Sequence, residues 1–369
     1  MHTCNHSKCH NPIHCFLPPY VLDRLVESDD PEVRRIAVET IRQAVAARSM
    51  RNIIARMPIM AAIPSPAGTK QCLVYDMENV GSEQRLPGKL VRSEGQDSVQ
   101  DEAVNESYDH SGTVYDFYQK IFNRNSIDDR GMALISSVHF DRRYNNAFFN
   151  GEQMTYGDGD GNIFIRFTKA LDVAAHEMTH GVVQHTCNLE YWKESGALNE
   201  HFADVMGALV KQWYLKQTVN EADWLNGDQI MGPGVTAKCL RTFKAEKAYE
   251  DDPLLGTDPQ PKHMKEKYDG LNDRGGVHIN SGIPNHAFYR VAMELGGQAW
   301  DKAGKIWYQT MKNLNQTSQF QEAASMTYLV AGQLFGSGSL EQQAVKQGWD
   351  AVGISAEGPI SKQLQSTSL

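Results

Sequence analysis

The run His176-Glu177-Met178-Thr179-His180 carries the residue types of a metal-dependent hydrolase. On a helix, positions i and i+4 lie about 40° apart around the axis, so both imidazoles can reach one cation. Glu177 projects about 100° from His176, close enough to contact a water on that cation without ligating it. H-E-x-x-H is the zinc pattern of peptide hydrolysis, but five letters also arise by chance and leave the assignment open. A catalytic zinc takes three protein ligands and keeps a fourth position open. A third His in an H-x-x-G-x-x-H run is excluded, because Val183 and Thr186 stand at those positions.

The remaining candidate is Glu200, in the stretch Glu194-Ser195-Gly196-Ala197-Leu198-Asn199-Glu200. One helical turn on, Asp204 faces the same way, placed to accept the distal N–H of a ligating His and fix its tautomer. Leu198, Phe202, Val205, Met206 and Leu209 bury the remaining faces. A solvated amphipathic helix does not account for two carboxylates at i, i+4 among so many apolar side chains.

These residues need rigid elements. Helical periodicity predicts helices over 171–185, 196–215, 283–295, 299–311 and 320–335, joined by long loops. The stretch 71–168 has a β-rich texture, with strands near 72–75 and 135–140 and a helical patch at 113–122. Gly157-Asp158-Gly159-Asp160-Gly161 reads as a turn, since it lacks the spacing and terminal Glu of an EF-hand. The first 57 residues differ. Pro18-Pro19 breaks the chain before Val21, Leu22, Leu25 and Val26, and Asp30-Pro31 is a helix start. Behind it Val33, Ile36, Ala37, Thr40, Ile41, Ala44 and Val45 make a mostly apolar stripe that has to dock on a partner. The basic stretch 47–58 reads as an irregular, exposed connector.

The net charge of −9 and the absence of a basic run exclude general attraction to nucleic acid. No apolar run reaches the ~18 residues of a membrane-spanning helix. The N-terminus shows no secretory signal pattern. Six cysteines, three of them within the first 15 residues, do not form a disulfide framework in so long a chain and read as free thiols. Cys4, His6, Cys9, His10, His14 and Cys15 are possible metal ligands, but their spacing matches no strong zinc signature and is read as carrying no metal. A small zinc knot, or a thiolate capping the catalytic metal, is the alternative.

Over roughly residues 71–353 the chain is similar to the thermolysin-like (M4) metallopeptidases. The likeness rests on Ser136-Ser137-Val138-His139-Phe140, Tyr144 through Gly151, Met154 through Gly161, Asp172 through His180, Tyr191 through Asp204, Leu240-Arg241 and Asp273 through Gly282. It implies an α+β fold of two lobes: a β-rich N-terminal catalytic lobe (52–187) carrying the zinc helix and a mainly α-helical C-terminal lobe (188–369). The site lies in the cleft between them. It implies a catalytic zinc on His176, His180 and Glu200, with Asp204 behind them and Glu177 as general base. Tyr191 and His278 would stabilise the oxyanion, with Asp273 orienting His278. Asn146 and Ala147 would pair with the substrate backbone as an added strand, and Arg241 would grip a substrate carbonyl. Val173 and Leu240 would line the primed-side pocket, so bonds on the N-terminal side of bulky apolar residues are the expected substrates.

Two departures matter. Lys211, Leu225 and Lys238 stand where thermolysin places calcium ligands, so calcium binding is expected to be weak or absent. The short N-terminal segment resembles that of the protealysin-like branch and implies an inhibitory propeptide, residues 1–51, removed by cutting near 50–54. The expected protein is a monomeric zymogen acting on peptides and proteins, exported by a non-classical route, with the cytoplasm as the alternative location.

Overall fold

The computed structural model describes residues 14–54 and 69–358. Cys4, His6, Cys9, His10 and the connector from 55 lie outside them, as do the side chains of His14 and of 45–54.

The N-terminal segment contributes β1 (His14–Cys15), α1 (Pro19–Val26) and α2 (Pro31–Ile54). Asp30 Oδ1 accepts Glu32 N at 2.8 Å, which fixes the start of α2 ahead of Pro31. The apolar stripe finds its partner: Val21, Leu22, Leu25, Val33 and Ala37 join the main core of the catalytic unit. Thr40 Oγ1 accepts Asn145 N at 3.4 Å on the same face. The end of this segment corrects the expectation of an irregular connector from residue 47, for α2 stays helical to Ile54. No Gly or Pro occurs between Pro31 and Pro58, so nothing in the backbone stops the helix earlier.

The catalytic unit opens with β2 (Cys72–Asp76) and β3 (Lys89–Ser93), followed by α3 (Glu102–Phe122), β4 (Leu134–Val138), β5 (Ala147–Phe149) and β6 (Met154–Tyr156). The helical patch foreseen at 113–122 is thus the second half of a longer helix. Asp101 starts it by accepting Ala103 N at 2.9 Å and Val104 N at 3.3 Å. The sheet has the order β1-β5-β6-β4-β2-β3. β2, β4 and β6 run parallel, whereas β1, β5 and β3 are antiparallel to their neighbours.

The helical half begins with α4 (Leu171–Gln184) and α5 (Lys193–Leu215), which pack tightly on each other. Gly207 lets them close: a Cβ there would lie 2.9 Å from the Asp172 carbonyl oxygen. A short hairpin follows, β7 (Leu225–Asn226) with β8 (Arg241–Thr242). Then come α6 (Asn272–Asn280), α7 (Gly282–Leu295), α8 (Ala303–Asn313), α9 (Phe320–Phe335) and α10 (Leu340–Asp350). The unforeseen α10 is capped by Ser339, whose Oγ accepts Gln342 N at 3.2 Å. α4 lies between the sheet and the C-terminal helices, so its buried face looks into the junction of the two halves. Among the described residues no helix is long and apolar enough to cross a membrane.

Candidate metal centre and substrate cleft

α4 and α5 are buried along nearly their whole length, which is unusual for helices carrying this many ionisable groups. Each group therefore has to be matched by a partner. His176 Nδ1 lies 2.9 Å from Asp204 Oδ1, and His180 Nδ1 lies 2.8 Å from Asn199 Oδ1. With both Nδ1 atoms engaged, the two Nε2 atoms converge to 3.0 Å. Glu200 completes the group, with Oε2 at 3.4 Å from His176 Nε2 and Oε1 at 3.4 Å from His180 Nε2.

One ligand atom from each of the three residues lies within 4.8 Å of the others, the spacing that a single cation needs. Glu200 Oε2 is buried without a hydrogen-bond partner. The donor set, two imidazoles and a carboxylate, is that of a catalytic zinc, so the residues fit the ion. Burial, the largest influence on His180, pushes its imidazole down to about 3 and leaves it neutral, as a ligand must be. For His176 burial also lowers the pKa, but the Asp204 and Glu200 carboxylates outweigh it and hold the ring at about 9; a cation takes the place of that proton. Asp204 itself is kept far below the carboxylate range: burial is overcome by the Arg241 guanidinium and by His176.

Glu177 lies on the sheet side of the ligands. Its Oε2 accepts Phe149 N at 3.1 Å, while Oε1 is buried without a hydrogen-bond partner. Burial raises its pKa above the ordinary value, opposed by the neighbouring His176 and Arg241 charges. Across the cleft, Tyr191 Oη donates to Glu200 Oε1 and lies 3.1 Å from His278 Nε2. His278 is held by Asp273, with Nδ1 at 2.6 Å from Oδ1 and the backbone N at 2.7 Å from Oδ2. Asp273 can reach both because residues 273–276 all have left-handed φ, which winds the chain back onto the start of α6. The left-handed conformation is free of penalty at Gly275 and Gly276 and strained at Asp273 and Arg274.

The cleft edge is β5, and β1 pairs with it antiparallel, His14 opposite Phe149 and Cys15 opposite Phe148. Phe16 N donates to Ala147 O at 3.2 Å, and Leu17 N donates to Asn146 Oδ1 at 2.9 Å. Arg241 Nη1 donates to Phe16 O at 3.0 Å, while its Nε sits 3.0 Å from both Asp204 oxygens. The Phe16 ring is fully buried. Its centroid is 5.1 Å from that of His176, edge to face, and 4.4 Å from the Arg241 guanidinium carbon. Gly227 makes room for it, since a Cβ there would stand 3.0 Å from Phe16 Cε1 and 3.4 Å from Leu240 Cβ. Val173 is fully buried on α4, one turn ahead of Glu177.

Structure and sequence differ in informative ways here. The Cys15 side chain joins an apolar cluster with Ala44, Met77, Phe140, Tyr144 and Phe148, and the atom of Cys15 beside His278 Nε2, at 3.4 Å, is its carbonyl oxygen. For Cys15 this corrects the idea of a thiolate capping the metal; Cys4 and Cys9 lie outside the described residues. Cys72, Cys187 and Cys239 are buried free thiols, as expected. Lys211, instead of merely repelling a cation, occupies the place of one. Its Nζ lies 2.7 Å from Asp228, 3.1 Å from Asp223 and 3.4 Å from the Leu225 carbonyl oxygen. Sequence reasoning missed Asn199 behind His180 and the Phe149 amide on Glu177. Asn199 carried a signal as the neighbour of Glu200; the amide, a backbone group, carried none.

The comparisons with known proteins agree with this geometry. The family model described as "Thermolysin metallopeptidase, catalytic domain" matches residues 67–184, and "Thermolysin metallopeptidase, alpha-helical domain" matches 187–354. An extracellular metalloprotease of Pectobacterium carotovorum is 44% identical over 346 residues, 93% of this chain and 97% of that protein. A thermolysin of Alicyclobacillus acidocaldarius is 39% identical over 262 residues, 69% of this chain and 46% of that protein. The solved precursor of protealysin, a metalloproteinase from Serratia proteamaculans, superposes with a TM-score of 0.84 at 44% identity, covering 93% of this chain and all of that one. The chain is a metalloendopeptidase and belongs to the thermolysin-like metallopeptidase family, on its protealysin-like side.

Proposed function

We propose that the protein is a zinc-dependent endopeptidase that cuts before bulky apolar residues and is made as a precursor whose own N-terminal segment fills the cleft. The observation that carries this reading is Phe16. An aromatic side chain sits fully buried beside the metal group, its own backbone is held by Ala147 and Arg241, and the following amide, of Leu17, is held by Asn146. A substrate adding a strand to β5 needs those same backbone partners, so the segment and a substrate exclude each other.

In this reading His176, His180 and Glu200 hold the zinc, and Asp204 and Asn199 fix the two imidazoles. The bound ion supplies Lewis-acid chemistry, polarising the scissile carbonyl and acidifying water. The chain's own residues do the rest. Glu177 Oε1 accepts the proton of the attacking water and returns it to the departing nitrogen. His278, steadied by Asp273, and Tyr191 donate hydrogen bonds to the oxygen that becomes negative. Asn146 and Arg241 hold the substrate backbone in register, and its next side chain enters the space now taken by Phe16. Asn146 Nδ2, buried without a hydrogen-bond partner, is a further donor for a substrate carbonyl.

Removal of roughly the first 50 residues by a cut near 50–54 frees the cleft. The tethered segment acts at high effective concentration, so moderate affinity suffices to keep the precursor latent. The test compares wild type with Glu177→Ala: zinc content by elemental analysis, hydrolysis of an internally quenched peptide, and N-terminal sequencing of the active form. Hydrolysis by Glu177→Ala at the wild-type rate, or full activity with residues 1–50 still attached, would overturn it.

A further inference from the structure

The segment in the cleft does more than block it. A blocking strand can lie in either direction, and only one direction brings a peptide bond to the catalytic groups in the sense that leads to hydrolysis. Four contacts fix the direction here. Cys15 O lies 3.4 Å from His278 Nε2, beside the Tyr191 hydroxyl that is itself 3.1 Å from that nitrogen. Phe16 N donates to Ala147 O, Phe16 O accepts from Arg241, and Leu17 N donates to Asn146 Oδ1. The Cys15 carbonyl is thus at the oxyanion donor His278, and the nitrogen that would leave is the one held by Ala147. The side chain after that bond, Phe16, fills the pocket that the proposed specificity assigns to a bulky apolar residue. On the sheet side, Glu177 presents a buried oxygen without a hydrogen-bond partner.

We propose that the Cys15–Phe16 peptide bond is itself a cleavage site, cut by the chain's own catalytic groups while the segment is still docked. This rests on the endopeptidase reading above. The step is an ordinary hydrolysis. Water adds to the Cys15 carbonyl carbon, and its proton passes to Glu177. The bond from that carbon to Phe16 N then breaks, and the nitrogen takes the proton from Glu177. The second water proton follows by the same route, so the products are a Cys15 carboxylate and a Phe16 α-ammonium group, with no oxidant or co-reactant needed.

The cut detaches residues 1–15, with Cys4, Cys9, Cys15 and four histidines, from a chain that now begins at Phe16. It does not by itself open the cleft. Phe16 and Leu17 remain on the far side of the broken bond, anchored by Val21, Leu22 and Leu25 in the core. Shedding the N-terminal peptide and activating the enzyme are therefore separate events, the second needing the cut near 50–54.

The experiment uses the full-length, zinc-loaded chain, followed in time by intact mass and N-terminal sequencing, with an external quenched peptide assayed in parallel. The expected result is a species beginning at Phe16 that appears at a first-order rate unchanged by ~30-fold dilution. Glu177→Ala protein should not produce it, and Phe16→Gly should lower its rate at least ~10-fold. A second readout needs neither turnover nor metal. In metal-free, full-length Glu177→Ala protein, the Phe16 and Leu17 amide hydrogens should exchange at least ~100-fold more slowly than in a free peptide of the same sequence. Cleavage of the external peptide with the 15–16 bond intact overturns this inference and leaves the endopeptidase reading standing. A chain that leaves the 15–16 bond intact and still cuts no external peptide once an added protease has removed the segment near 50–54 overturns both, and unprotected Phe16 and Leu17 amides overturn the docked geometry itself.

Discussion

Replacing Phe16 with Ala removes the anchor of the inhibitory segment while leaving its backbone hydrogen bonds available. The side chain is fully buried against His176, Arg241 and Gly227. Truncating a buried Phe to Ala costs ~3–5 kcal/mol in a closed core. The cleft can rehydrate when the ring is gone, so the lower end, about 3 kcal/mol, is the better figure. At about 1.4 kcal/mol per tenfold, the docked-to-open ratio falls by roughly 150-fold. The uncut precursor should then show latent peptidase activity on the order of 100-fold above wild-type precursor, up to the ceiling set by processed enzyme. The assay is the initial rate on an internally quenched peptide with Phe or Leu after the scissile bond, with intact mass confirming that the precursor stays whole. Once processed, both proteins lack residue 16 and must give equal kcat/KM, which separates docking from damage to the catalytic unit. A whole Phe16→Ala precursor within about threefold of wild type would refute the argument that this side chain holds the cleft shut.

Three further outcomes follow from particular contacts. Asp204→Ala takes away the acceptor of His176 Nδ1, so zinc affinity should fall about 10–100-fold in competition with a chromophoric chelator; wild-type affinity would contradict the role given to Asp204. Lys211 fills the place of a cation among Asp223, Asp228 and the Leu225 carbonyl, so removing calcium with zinc retained should move Tm by only a few degrees, and a fall above about 15 °C would show a calcium site that this reading lacks. His139 stands between Asp158 at 2.8 Å and Asp101 at 2.9 Å, with Glu102 and Arg166 lining the same surface cavity, and the Asp158 hydrogen bond overcomes burial to raise its pKa to about 9. Because the folded pKa lies above the unfolded value of ~6.5, the stabilisation is complete below about pH 6.5 and is lost as pH rises through 9. His139→Gln should thus cost about 1–3 kcal/mol at pH 6 by urea unfolding and much less at pH 10, and a cost independent of pH would count against the ion pairs.

The metal group was legible in the sequence because it is local. His176 and His180, or Glu200 and Asp204, share a helix face whatever the rest of the chain does, since the helical repeat alone sets their separation. Which face of α5 meets which face of α4 is a tertiary matter. It became readable only because apolar residues surround Glu200 and the segment from Tyr191 to Asp204 matches a family pattern. Asp223 beside Lys211 was not legible, for the two are joined by a loop whose path no periodicity determines. Nor was β1. Two residues carry no strand signal, and their pairing is decided by the free edge of β5. The first half of α3 was hidden for a different reason: Asn105, Ser107, Asp109, His110, Ser111 and Gly112 are poor or indifferent helix formers, held in the helix by the Asp101 cap and by packing that buries Ser107, Ser111 and Gly112.

That free edge also decides how latency can be relieved. β5 offers one row of backbone groups, and both the N-terminal segment and a substrate must use it. Asn146 and Arg241, which grip Leu17 and Phe16, are the same side chains that would grip the residues after a cleaved bond. Weakening either one loosens inhibitor and substrate together, because the two are read by identical hydrogen bonds. Phe16, α1 and α2 belong to the inhibitor alone, so only changes there alter latency without altering catalysis. On the proposed function, this asymmetry places control in the segment that would be discarded. The catalytic unit can keep an edge fitted to substrates, while the strength of the block is set by how well Val21, Leu22, Leu25 and Val33 bury against it.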